Sequence, residues 1–401
     1  MPSLASILMI PILIWCLALA PPPPRPPSRQ PRAPTPVPLP AAPLPDPGSA
    51  NSLIPGLDLN PFAILFPELL QAPAPSWLRE GTRVSYRVMS ATIAQLPGES
   101  GGGGGGVGQY DVVAIDQGVV VSTLKLYLDT GSQGLVPNLI FSSFGRLGVG
   151  DYWVHPSVLR NAERVANDDL AVLHMPTTIA GRAYQAVRFE HRRQDAVTIW
   201  MFDEATGILL YYRHSVGGEL DPRRQVTIME LLGQRQKTIP WQADAVPAWV
   251  ARGGILRYTG ATTVWISGQP TSPLPYAVTV QMGRSYNRWS EYQVSDSTTA
   301  GPASSRVTGV AQLFDNSWLP AAALTVLRSG RARVLDEDPL TGARIIAERS
   351  ADGAIVLTEA GAAYRVVTTY DGRTGMLLGV HRETPAGVGT IVVDVWLAEG
   401  E

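Results

Sequence analysis

The stretches FDEATGILL (202–210) and YDGRTGMLL (370–378) are nearly the same nine residues written twice, 168 positions apart. An aspartate accepts hydrogen bonds from backbone donors two residues on, and a glycine supplies the left-handed residue that closes a type I turn with a G1 bulge. Set between apolar runs, Asp-x-x-Thr-Gly is therefore hairpin chemistry. This assigns Asp203, Thr206 and Gly207, and likewise Asp371, Thr374 and Gly375, to turns. A third copy of the pattern, Asp338 to Gly342, fits a turn recipe better than a catalytic signature.

Working outward, other landmarks repeat in the same order. WLREGTRVSY (77–86) matches WVARGGILRY (249–258), with Gly at +4 and Tyr at +9 from the Trp. DYWVHPSVL (151–159) matches NSWLPAAAL (316–324), and VTIMELLG (226–233) matches IVVDVWLAEG (391–400). Four ordered landmarks at offsets of 165 to 172 mark a tandem duplication. The units are placed at 77–245 and 246–401, with the boundary in the proline-bearing link WQADAVPA (241–248).

Both units read as strands. Period-two or β-branched runs such as RVSYRVMSATI, YDVVAI, VVVSTLKLYL, AVTIWMF and ILLYYRHSV alternate with turn signals such as Asp116-Gln117-Gly118 and Gly101–Gly106. The glycine run is expected to be a loop tip. Short connections imply antiparallel pairing. One short helix is expected near 155–165, with a counterpart near 320–328. The fold class is mainly β: two duplicated antiparallel units, each a curved sheet or half-barrel with one short helix. Trp77, Tyr86, Trp153, Trp200, Trp249, Tyr258 and Trp318 are expected to pack the cores.

Upstream, residues 1–20 read as a signal peptide, cleaved after Ala18, or as an uncleaved anchor tethering the chain through residues 4–20. Residues 21–52 form a proline-rich linker with 14 prolines between positions 21 and 48. Extended, that stretch reaches on the order of 80 Å. Residues 53–76 form an apolar docking segment. In NPFAILFPELL (60–70), Asn60 suits a helix cap, Pro61 the first turn and Pro67 its stop. This segment is expected to dock on the first unit, with docking on a partner as the alternative.

The net charge of −2 gives no reason to expect nucleic acid. The basic residues are almost all arginine, which reads as composition, the exceptions being Lys125 and Lys237. Cys16, the one cysteine, lies in the leader, and the five histidines are scattered, so neither a disulfide framework nor a metal site is expected. No cofactor is implied: G-x-S-x-G, H-E-x-x-H and P-loop signatures are absent.

A strand, then [FY]-D-x-x-T-G-x-L-L, then a strand resembles the lipoprotein-carrier type of periplasmic protein. These are half-open β-barrels that include lipoprotein localisation factors and related sigma-factor regulators. The resemblance covers roughly 190–233 and 362–400. It implies a curved sheet around an apolar cavity and an acyl chain or other apolar ligand. The proline spacer and the duplication depart from the simplest carriers.

LYLDTGSQGLVP (126–137) supports a different chemistry. Asp129-Thr130-Gly131-Ser132 looks like an aspartic-protease loop, and Asp296 falls at the corresponding place in the second unit. Such a dyad shares one proton between carboxylates about 3 Å apart. Thr298 stands where the second glycine belongs, so a hairpin role for Asp129 is favoured. The leading expectation is a non-enzymatic secreted or envelope protein binding an apolar ligand in a concave sheet. The alternatives are a surface or assembly subunit joined through 53–70, and a hydrolase using Asp129.

Overall fold

The computed structural model describes residues 61–94, 102–131, 134–217, 223–241, 244–297, 303–329, 331–386 and 389–398. The leader, the proline linker, Asn60, Gly101, Ser132 and Thr298 lie outside the described residues. The described chain is mainly β, in two antiparallel sheets of eleven strands each.

The first sheet holds β1 (Thr82–Ala94), β2 (Gly102–Asp116), β3 (Val119–Asp129), β4 (Leu135–Arg146), β5 (Val149–Gly150), β6 (Trp153–Val154), β7 (Leu170–Ile179), β8 (Arg182–Arg193), β9 (Ala196–Asp203), β10 (Leu209–Val216) and β11 (Arg223–Gln236). Its order is β6-β5-β4-β3-β2-β1-β11-β10-β9-β8-β7. Two meanders are thus stitched along β1 and β11, and the helical turns Pro156–Leu159 and Ala162–Val165 carry the chain between the outer edges.

The second sheet holds β12 (Gly254–Ile266), β13 (Gln269–Pro270), β14 (Leu274–Ser285), β15 (Trp289–Asp296), β16 (Ser304–Gly309), β17 (Arg333–Glu337), β18 (Arg344–Arg349), β19 (Ile355–Ala360), β20 (Arg365–Tyr370), β21 (Leu377–Ala386) and β22 (Gly389–Leu397). Its order is β16-β15-β14-β12-β22-β21-β20-β19-β18-β17, with β13 on β12. Aligned on the repeated turn, β12, β14, β15, β16 and β18–β22 stand where β1–β4 and β7–β11 stand in the first sheet. β17 is an added edge strand. The helix Ala321–Val326 makes the crossover here.

Three of the four repeated landmarks turn out to be parts of one hydrogen-bonded clamp. Trp77 Nε1 donates to the Thr206 carbonyl at 2.8 Å, and Trp249 Nε1 to that of Thr374 at 2.8 Å. Tyr86 and Tyr258 donate their hydroxyls to the Leu209 and Leu377 carbonyls at 3.0 and 2.9 Å. Val154 N–H donates to Gly207 O, and Leu319 N–H to Gly375 O. Inside each turn the aspartate accepts from the threonine: Asp203 Oδ2 from Thr206 N and Oγ1, and Asp371 Oδ1 from Thr374 N and Oγ1. Gly207 and Gly375 have φ of +74° and +72°.

One strand lies where a loop was expected. Gly102–Gly106 continue β2, paired with β1 from Val88 to Thr92. Glycine's low strand propensity is overridden by packing: a Cβ on Gly106 would lie 1.8 Å from the Tyr127 carbonyl oxygen. The link 241–248 is also less polar than it reads, because Trp241 is buried in the second unit's core.

Candidate functional site

The two acids singled out by sequence sit at hairpin ends of different sheets. Asp129 closes β3 at the surface, and its Oδ1 accepts from Gly131 N–H at 2.8 Å. Gly131 has φ +70°. Asp296 ends β15, opposite Val278.

Each sheet buries one face against the chain that leads into it. In the first unit Phe62, Phe66 and Leu69 are enclosed, and the Phe62 ring stands edge-on to Phe189, Trp200 and Phe202 with centroids 4.9–5.5 Å apart. Glu68 pairs with Arg164, whose guanidinium lies 5.3 Å from the Phe66 ring. The described part of the apolar segment thus docks in cis. In the second unit Ile239 and Trp241 join Leu324, Ile355, Leu357 and Tyr370 in a matching position. Filling the helix-to-sheet groove with the lead-in is a property of the repeat.

The opposite face of the first sheet packs on the second unit through a charged layer. Residues alternate along a strand, so β3 sends Leu124 and Leu126 to its own core but Thr123, Lys125 and Tyr127 across the seam. Arg83 on β1 donates Nε and Nη2 to Asp111 on β2, each at 2.7 Å, and Nη1 to Asp338 of the third Asp-x-x-Thr-Gly turn at 2.9 Å. Arg235 grips Asp336 and Asp338, and Lys237 lies 3.0 Å from Asp111. Burial alone would raise the Asp111 carboxyl; Arg83 and Lys237 override it and hold it down at about 2. Lys125 pairs with Glu359, with the Phe314 and Tyr127 rings 4.2 and 5.0 Å away, and Tyr364 donates to Glu359 at 2.7 Å. Burial lowers the Lys125 ammonium against the pull of Glu359.

Both lysines of the chain are therefore enclosed in this seam, a role that composition hides. A usable signal existed for Lys125, which falls on the face of β3 opposite the apolar Leu124 and Leu126; Lys237 lies just past β11, beyond a register shift at Ser85/Tyr86 that reverses the alternation, and gave none. Beside Lys125 and Glu359 lies a cavity of about 20 Å³, also lined by Ile140, Phe314, Val366 and Arg382. That is water-sized, against roughly 300–1,000 Å³ for a small-molecule site. A cleft of about 560 Å³ opens at the seam's edge, but its Arg288 grips Glu80 and its Lys237 pairs with Asp111.

The inner face of the second sheet is closed only in part. Tyr258, Val280 and Val395 are buried. Farther along the same face, Thr262 stands opposite Leu274 and Val393, and Val264 opposite Ile391. There Ile266 is 47% exposed and Leu274 49%, with Tyr276, Val393 and Arg382 half-buried. These half-exposed apolar side chains make this end of the face the candidate binding site. Among the described residues no group of three or more His, Cys, Asp or Glu could hold a metal ion. No described helix is long and apolar enough to cross a membrane.

One buried acid titrates near neutrality. Burial pushes the Asp151 carboxyl up to about 6, against the Ser143 hydroxyl that donates to it. The folded chain holds this proton above the pH at which the unfolded chain releases it. Its stabilising contribution is full below about pH 4 and lost as pH rises through 6. Asp151→Asn cannot ionise, so urea denaturation should show it more stable than wild type by about 2–3 kcal/mol at pH 7.5 and by well under about 1 kcal/mol at pH 4. Equal gains at both pH values would contradict this assignment.

No family model matches the chain, and no curated protein matches it. Among solved structures it has a weak likeness to MucB in complex with MucA(peri), 12% identical over 79% of this chain and 89% of that one, TM-score 0.21. A DUF3598-family protein of unknown function from Nostoc punctiforme is 9% identical over 82% and 97%, TM-score 0.16. Scores this low establish no family.

Proposed function

We propose that this is a non-enzymatic binding protein of the cell envelope or exterior that takes an acyl chain or similarly extended apolar ligand at the open mouth of the second sheet. Residues 1–20 export or tether it and residues 21–52 space it from the membrane. Asp203, Thr206, Gly207, Asp371, Thr374 and Gly375 serve as turn formers, and neither Asp129 nor Asp296 has a catalytic role. One observation carries the reading: Ile266 and Leu274 point to the inner face of a curled sheet, yet each is about half open to water. Soluble proteins seldom leave inward apolar positions uncovered without a partner for them. The assembly alternative is weakened because Phe62, Phe66 and Leu69 are spent within the chain.

The test is titration with a fluorescent long-chain fatty acid. Wild type should bind saturably, and Ile266→Glu with Leu274→Glu should weaken binding about tenfold or more, since a buried carboxylate beside an acyl chain is costly. Unchanged affinity in the double variant, or no binding by wild type, would refute the reading.

A further inference from the structure

The outer face of the second sheet, opposite the apolar mouth, carries an aromatic feature that the first unit lacks. Trp396 on β22 pairs with Gly379 on β21 and Thr259 on β12. A Cβ on Gly379 would fall 2.4 Å from the Trp396 ring, so the indole lies against that glycine. Its Nε1 donates to Asp394 at 3.1 Å, which fixes the ring. Trp396 remains 49% exposed. In the first sheet the corresponding pair, two residues past the clamp carbonyl of Leu209, is Tyr211 with Glu230. The clamp works there without the tryptophan, so the duplicated fold does not require it.

A second indole stands on the same face. Thr259, Ala261, Thr263 and Trp265 alternate with the inward residues of β12, and Trp265 is 39% exposed. It lies six residues from Thr259, or ~20 Å along the strand. Small side chains floor the space between the indoles. Its rim carries Asp394 and Glu383, with His381 3.0 Å from Glu383 and 3.8 Å from Asp394, and Arg365 directly across from Glu383. The Arg365 guanidinium stands against the Glu383 and Asp394 carboxylates here, so no strong single-sign field selects an ion. What remains is two flat apolar surfaces flanked by both donors and acceptors. A sugar chain matches that chemistry: each ring offers an apolar C–H face to an indole and a rim of hydroxyls that donate and accept.

We propose that this face binds a glycan chain, stacked on Trp396 and Trp265 and hydrogen-bonded by Asp394, His381 and Glu383. Cellohexaose and soluble peptidoglycan fragments serve as probes, each titrated against the full chain by tryptophan fluorescence and calorimetry. At least one should saturate wild type. Trp396→Ala and Trp265→Ala should each weaken it about tenfold, and Trp396→Phe should keep most of the affinity. Both indoles are exposed, so the alanine variants should fold, checked by circular dichroism. Ile266→Glu with Leu274→Glu should leave glycan binding unchanged, which separates this proposal from the apolar-ligand reading. Failure of both probes with wild type, or equal binding by the alanine variants, would overturn it. So would self-association that Trp396→Ala abolishes, which would assign the face to a second copy of the chain.

Discussion

Arg83→Met should cost the folded protein about 3–5 kcal/mol in urea denaturation at pH 7, among the largest effects of any single side-chain change here. Arg83 is 2% exposed, and its guanidinium holds acids from both units: Asp111 beside it, and Asp338 and Asp336 across the seam at 2.9 and 3.3 Å. Methionine fills much of the space but leaves carboxylates enclosed without their main partner. Lys237 and Arg235 remain near Asp111 and Asp338, which keeps the loss finite. If the cost is stranded charge, adding Asp338→Asn to Arg83→Met should return part of it. Arg192→Met is the control: it removes an ion pair to Glu190 from a side chain 72% exposed and should cost less than about 1 kcal/mol. Equal losses at Arg83 and Arg192 would mean the seam contributes no more than surface pairing.

Sequence alone could not have located that seam. Arg83 and Asp338 lie 255 positions apart, and nothing in either neighbourhood separates a buried ion pair from two solvated charges. The clamp was legible for the opposite reason. It demands particular residue types at fixed spacings: an indole N–H for one carbonyl, a phenol for another, and an aspartate and glycine to close the turn. Duplication then writes those demands twice. Gly102–Gly106 misled because intrinsic propensity speaks against a strand, while the close approach of Tyr127 to Gly106 excludes any side chain there. The lead-in was half legible. Phe62 and Phe66 are plainly too apolar for water, but Trp241 sits among polar neighbours and its burial depends on a groove that only the folded second unit provides.

The three Asp-x-x-Thr-Gly turns should respond very differently to one substitution. Gly207, Gly375 and Gly342 all have positive φ, at +74°, +72° and +68°. Left-handed strain alone should cost each Gly→Ala variant about 1 kcal/mol. The surroundings then divide them. A Cβ on Gly207 would fall 1.8 Å from the Val154 carbonyl oxygen, and one on Gly375 2.2 Å from that of Leu319, whereas nothing lies within 4 Å at Gly342. Backbone cannot rotate aside as a flexible side chain can. Relief at Gly207 requires the 152–154 segment to withdraw, and with it the bonds from Val154 N–H to Gly207 O and from Leu209 N–H to Tyr152 O. Two lost buried hydrogen bonds added to the strain give about 3–5 kcal/mol for Gly207→Ala, and Gly375→Ala should match it. Gly342→Ala should stay near 1 kcal/mol. Equal costs at all three would show that the turns act only as local hairpins. The expected split would show that the two turns of the repeat, at 203–207 and 371–375, are joints on which the 152–154 and 317–319 segments bear, while the 338–342 turn is open at its glycine and serves the seam through its aspartate.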